Sequence, residues 1–137
     1  MPQLKLVSEY SASARKDLDH TSLFGCSILI VEDEPLIALD LHAALSAVGA
    51  GIIAATDAAE ALRLIRRNEI SAAVIDVKLG NLDSLEVCQA LFHRRVPFLS
   101  YTGHTHADLL KAWPEAPVFA KPARTSDVVA CIANLVR

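Results

Sequence analysis

Residues 26–35 read Cys-Ser-Ile-Leu-Ile-Val-Glu-Asp-Glu-Pro, and this stretch decides the fold class. Its first six residues form a continuous apolar, β-branched run with no polar alternation, the pattern of a strand buried on both faces. The run ends abruptly in Glu32-Asp33-Glu34, and Pro35 then suits the first turn of a helix. A strand that empties into acidic residues, with no glycine-rich phosphate loop after it, argues against a nucleotide-binding α/β domain.

Working outward, the same unit recurs. Ile37, Leu41, Leu45 and Val48 follow at helical spacing, stopped by Gly49 and Gly51. Gly51–Ala55 reads as a second strand. Asp57, with Glu60 three residues on, reads as the N-cap of a helix presenting Ala61, Leu62 and Ile65 on one face. Ser71–Asp76 is a third strand, and Leu85, Cys88, Leu91 and Phe92 mark the helix after it. Val96–Ser100 is a fourth strand, a short helix is expected around Ala107–Trp113, and Pro117–Ala120 is a fifth strand. Val128, Val129, Ile132 and Val136 carry a final helix. Strand and helix alternating five times predict an α/β fold: a doubly wound parallel sheet with helices on both faces.

The 137 residues suit one domain, with 53% apolar residues to fill a core, 21% charged residues and a formal net charge of -3. That balance offers no electrostatic footprint for nucleic acid. The longest apolar run is too short to span a bilayer and no secretory pattern opens the chain, so a cytoplasmic protein with no membrane association is expected. Cys26, Cys88 and Cys131 are odd in number and widely spaced, which fits small core residues rather than disulfides or zinc. Residues 1–25 differ in composition and are expected to be an N-terminal extension, with the domain proper at 26–137. The extension reads either as a disordered terminus or as an arm docking through Leu4, Leu6, Val7, Leu18 and Phe24.

In open parallel sheets, ligands bind beyond the C-terminal ends of the strands. Glu32 and Asp33 end the first strand, Asp76 the third, Thr102 follows the fourth and Lys121 the fifth. Two carboxylates about 5 Å apart repel by roughly 3 kcal/mol at an effective dielectric of about 20. A hard divalent cation such as Mg2+ relieves that repulsion, and a carboxylate is a competent nucleophile toward phosphorus. Taken singly, each residue has an ordinary reading: a helix cap, a loop carboxylate, a turn threonine, a surface lysine. Their joint placement at successive strand ends is what points to a site. His104 and His106 read as solvated loop residues, because no third metal ligand accompanies them.

Four pieces in order, Ile28-Leu-Ile-Val-Glu-Asp-Glu-Pro35, Val74-Ile-Asp-Val-Lys-Leu-Gly80, Ser100-Tyr-Thr-Gly103 and Phe119-Ala-Lys-Pro122, resemble the receiver domain of two-component response regulators. The resemblance implies the flavodoxin-like strand order 2-1-3-4-5. It implies that Asp76 accepts a phosphoryl group from a sensor histidine kinase or a histidine phosphotransfer protein. Glu32, Asp33 and Asp76 would hold Mg2+, Asp33 more directly than Glu32, and Lys78 would add its backbone carbonyl. Thr102 and Lys121 would contact the phosphoryl group, and the Lys121-Pro122 peptide would be cis. Such a domain is a phosphoacceptor rather than an enzyme; phosphatases with an aspartyl nucleophile need an acid two residues on, where this chain has Lys78.

Two positions depart from the family pattern. Val118 stands where an aromatic switch residue is usual, and Phe119 beside it is expected to face the other way; Ala123 replaces a common Phe. With the last helix closing at Arg137, a stand-alone receiver acting on an unknown downstream protein is expected, and homodimerisation stays open. The alternative is a receiver-like interaction module that works without phosphorylation.

Overall fold

The computed structural model describes residues 18–76, 82–103 and 116–137, with the side chains at positions 82 and 83 excepted. The strands are β1 (Ser27–Val31), β2 (Gly51–Ala55), β3 (Ala72–Ile75), β4 (Phe98–Thr102) and β5 (Val118–Ala120). The helices among the described residues are α1 (Pro35–Ala47), α2 (Ala58–Arg67), α3 (Leu82–His93) and α4 (Thr125–Leu135). All strand pairs are parallel and the order is β2-β1-β3-β4-β5, the doubly wound arrangement expected from the sequence.

The apolar runs divide between two cores by the two-residue period of the strand. Ile28 and Ile30 of β1, Ala72 and Val74 of β3, and Leu99 and Tyr101 of β4 join Leu41, Leu45, Val128 and Ile132 on the α1/α4 face. Leu29, Val31, Ala73, Ile75 and Phe98 point the other way, onto Ala61, Ile65, Val87 and Leu91 of α2 and α3. This double coverage is why Ile28–Val31 of β1 and Ala72–Ile75 of β3 show no polar residue on either side. Cys88 and Cys131 are fully buried among these side chains, and burial pushes the Cys88 thiol up to about 12, as a core residue rather than a reactive one.

Local signals explain the boundaries. Pro35 opens α1. The chain leaves that helix through Gly49 at φ +98°, a left-handed conformation that glycine adopts without penalty. A Cβ there would also come within 3.0 Å of the Phe24 backbone nitrogen. Asp57 caps α2 as predicted, its Oδ1 accepting from the Glu60 N–H at 2.8 Å. Glu60 reaches back to the Thr56 N–H rather than to the cap residue itself. The fourth strand lies two residues later than the sequence suggested. Val96 still bonds back to Leu91 at the end of α3, and the ladder begins with the Pro97 carbonyl accepting from Ala73. Pairing with β5 then carries the strand through Thr102.

Leu18 packs against the α1/α4 core and Leu23 is fully buried in it, its N–H bonded to the Val48 carbonyl at 2.8 Å. Asp19 organises this turn by accepting from the N–H and hydroxyl of Thr21. Phe24, in contrast, is exposed. Leu4, Leu6 and Val7, together with the helix expected at 107–113, lie outside the described residues. No helix of the described residues is long and apolar enough to cross a membrane.

Candidate functional site

The sheet itself places the acidic residues. At the C-terminal edge, the Glu32 N–H bonds to the Ala55 carbonyl at 3.0 Å and the Asp76 N–H to the Val31 carbonyl at 2.8 Å. Both residues are therefore held by the last rungs of the ladder, with backbones that cannot drift apart. Thr102 and Lys121 are fixed in the same way on the neighbouring strands, the Lys121 N–H bonding to the Thr102 carbonyl at 2.8 Å.

One carboxylate oxygen from each of Glu32, Asp33 and Asp76 lies within 4.8 Å of the others. Lys121 closes the rim. Its Nζ stands 2.8 Å from Glu32 Oε1, 3.4 Å from Asp76 Oδ2 and 3.8 Å from Glu34 Oε1. Glu32 is almost wholly buried, and its other oxygen accepts from the Glu34 N–H at 3.2 Å. That pairing is what makes a buried carboxylate tolerable. It also commits both Glu32 oxygens to contacts within the protein.

The charges act on each other. Burial, reinforced by the neighbouring Glu32, pushes the Asp76 carboxyl up to about 6, although the Lys121 ammonium pulls in the opposite sense. Burial alone would lower Lys121, but Glu32, Asp76 and Glu34 together hold its pKa above the usual value. Lys121 thus stays charged, while Asp76 retains affinity for a positive partner, whether a proton or a metal. A cavity of about 210 Å³ opens beside these groups, with Thr56, Asp57 and Ser84 on its far wall.

The donor set fits Mg2+ by its chemistry: hard oxygens, few in number, with an excess of negative charge at one point. Of the residues singled out in the sequence, Glu32, Asp33, Asp76 and Lys121 are brought together here. Thr102 is buried at the end of the strand adjoining Asp76. Lys78, His104 and His106 lie outside the described residues. The Lys121-Pro122 peptide is cis, as expected. Phe119 is fully buried in the α1/α4 core, whereas Val118 is half-buried and belongs to neither core, in line with the alternation expected from the sequence.

Two contacts were not read from the sequence. Glu34 reads in the sequence only as a helix-opening residue, yet it adds a third carboxylate around Lys121. Tyr101 places its ring centroid 5.6 Å from Lys121 Nζ. Strand alternation could have put Tyr101 on the face opposite Thr102, but its neighbours on β5 depend on register.

Comparison with known proteins shows the family and the fold. The family model of the response regulator receiver domain matches residues 28–132. Response regulator MprA of a Mycobacterium species is 42% identical over 64 residues, covering 47% of this chain and 28% of MprA. The transcriptional regulatory protein TcrA of Mycobacterium tuberculosis is 36% identical over 72 residues, covering 53% of this chain and 28% of TcrA. The chain thus spans under a third of the length of these curated relatives. Among solved structures, a response regulator receiver protein from Sinorhizobium medicae superposes with a TM-score of 0.72 at 20% identity, over 81% of this chain and 94% of its own. TrrA from Thermotoga maritima, solved in complex with Mg2+ and BeF, gives 0.69 at 22% identity, over 80% of this chain and 98% of its own. Identities this low show a shared fold.

Proposed function

The chain belongs to the response regulator receiver domain family, and from that premise we propose that Asp76 accepts a phosphoryl group from a histidine kinase or phosphotransfer protein, with Mg2+ as cofactor. The observation that carries this reading is the convergence of Glu32, Asp33 and Asp76 within 4.8 Å, with the Lys121 ammonium beside them. In the transfer, an Asp76 carboxylate oxygen forms a bond to phosphorus as the bond from phosphorus to the donor's imidazole nitrogen breaks, and the electron pair leaves with the imidazole. Bound Mg2+ supplies positive charge for the phosphoryl oxygens. Lys121 offers a second, permanent positive charge, and Glu32 keeps that ammonium at the rim. Thr102 is assigned to a phosphoryl oxygen through its hydroxyl, and Lys78 to the cation through its carbonyl.

Because the nucleophile must be ionised, a carboxyl near 6 ties phosphoryl uptake to neutral or higher pH unless a cation displaces the proton. We assign the chain a phosphoacceptor role rather than catalysis on free substrates, and a signalling output through protein–protein contact or a phosphorelay. The inverted Val118/Phe119 pair supports a readout that does not use the family's usual aromatic swing. Its relatives MprA and TcrA are named as regulators, TcrA as a transcriptional one, which bears on the kind of pathway involved.

The test is phosphorylation by acetyl phosphate in millimolar Mg2+, followed on Phos-tag gels. One phosphoryl group is expected per chain, absent in Asp76→Asn and without Mg2+. Wild-type protein that stays unmodified under these conditions would favour a receiver-like module that works unphosphorylated.

A further inference from the structure

Lys121 is assigned to the incoming phosphoryl group, and its ammonium is surrounded by Glu32 at 2.8 Å, Asp76 at 3.4 Å and Glu34 at 3.8 Å. A further contact comes from Tyr101. It is buried, with its ring 5.6 Å from the ammonium, within the range of a cation–π contact. Its hydroxyl accepts from the Ala123 N–H at 3.3 Å and donates to the Ala123 carbonyl at 3.4 Å. One side chain therefore holds the head of Lys121 and the backbone two residues beyond it. It is also the chain neighbour of Thr102, whose carbonyl accepts from the Lys121 N–H.

On the reading that Asp76 is phosphorylated, we propose that Tyr101 is a positioning residue for Lys121, fixing the ammonium over the site from the α1/α4 face of the sheet. The ring restrains the ammonium and the hydroxyl restrains the loop that carries it. The two functions separate by substitution. Tyr101→Phe keeps the ring and frees the loop; Tyr101→Leu removes both. Neither removes a Mg2+ ligand, so loosening Lys121 leaves the cation affinity unchanged or raises it, because less positive charge then competes at Asp76.

The experiment measures Mg2+ affinity by calorimetry and beryllofluoride affinity by 19F NMR in the presence of saturating Mg2+, on the full chain. Beryllofluoride should bind about five-fold more weakly to Tyr101→Phe and about 20-fold more weakly to Tyr101→Leu, with Mg2+ binding no weaker than in the wild type. The Lys121 ammonium resonances should carry a ring-current shift in wild type and Tyr101→Phe that vanishes in Tyr101→Leu. Mg2+ and beryllofluoride affinities falling in parallel would show a merely structural role and overturn the proposal, as would variants that bind both like the wild type. Should Tyr101→Leu not fold, Tyr101→Phe alone decides by the same comparison. A wild-type protein that ignores beryllofluoride sinks the phosphoacceptor reading and this inference together, whereas a responding wild type with unaffected variants sinks only the inference.

Discussion

Replacing Asp76 with Asn should make the metal-free protein more stable at neutral pH, although it removes the central residue of the site. Burial and Glu32 raise the Asp76 carboxyl from 3.8 to about 6. The folded state therefore holds this proton more tightly than the unfolded chain does. Between the two values the folded protein binds more protons, so stability declines as pH rises through that interval and stays low above it. A displacement of that size corresponds to about 3 kcal/mol if fully expressed. Water at the mouth of the site screens part of it, leaving about 1–2 kcal/mol for Asn to recover. Lys121 does not become an orphan in the variant, since its contact at 2.8 Å is with Glu32. The assay is urea unfolding of both proteins in chelator from pH 4 to 8, then at pH 7.5 with Mg2+. Asp76→Asn should lead at pH 7–8, and the gap should close as pH falls through 6 toward 4. Mg2+ at about 100 times its Kd should add about 2–3 kcal/mol to the wild type and less to the variant. Equal stability at pH 7.5 in chelator, or a gap that persists at pH 4, would refute the reasoning.

Two further predictions concern the frame around the site. Asp57→Ala removes the acceptor for the Glu60 N–H and should cost about 1 kcal/mol in urea unfolding, with a normal secondary-structure spectrum. Leu23→Ala should cost about 2–4 kcal/mol by the same measurement, whereas Phe24→Ala next to it should change stability by under about 0.5 kcal/mol, because Leu23 is fully buried and Phe24 exposed.

The amino-acid sequence alone determined the sheet. Runs such as Ile28–Val31 and Ala72–Ile75, apolar on both sides of the strand, have a stable place only between two layers of helices. It also determined which residues end the strands, and hence that Glu32, Asp33, Asp76, Thr102 and Lys121 share one rim. These are consequences of local pattern and chain order. Tertiary structure decided what depends on register and on distances between strands. It set the pairing of Lys121 with Glu32 ahead of Asp76, the rise of the Asp76 carboxyl, and the burial of Leu23 in the α1/α4 core. It also set the contact of Tyr101 with Lys121 and Ala123. Each of these joins positions well separated along the chain, such as 32 with 121 or 101 with 123. The physical reason is that electrostatic energy varies with separation and burial, and neither quantity exists until the strands are side by side.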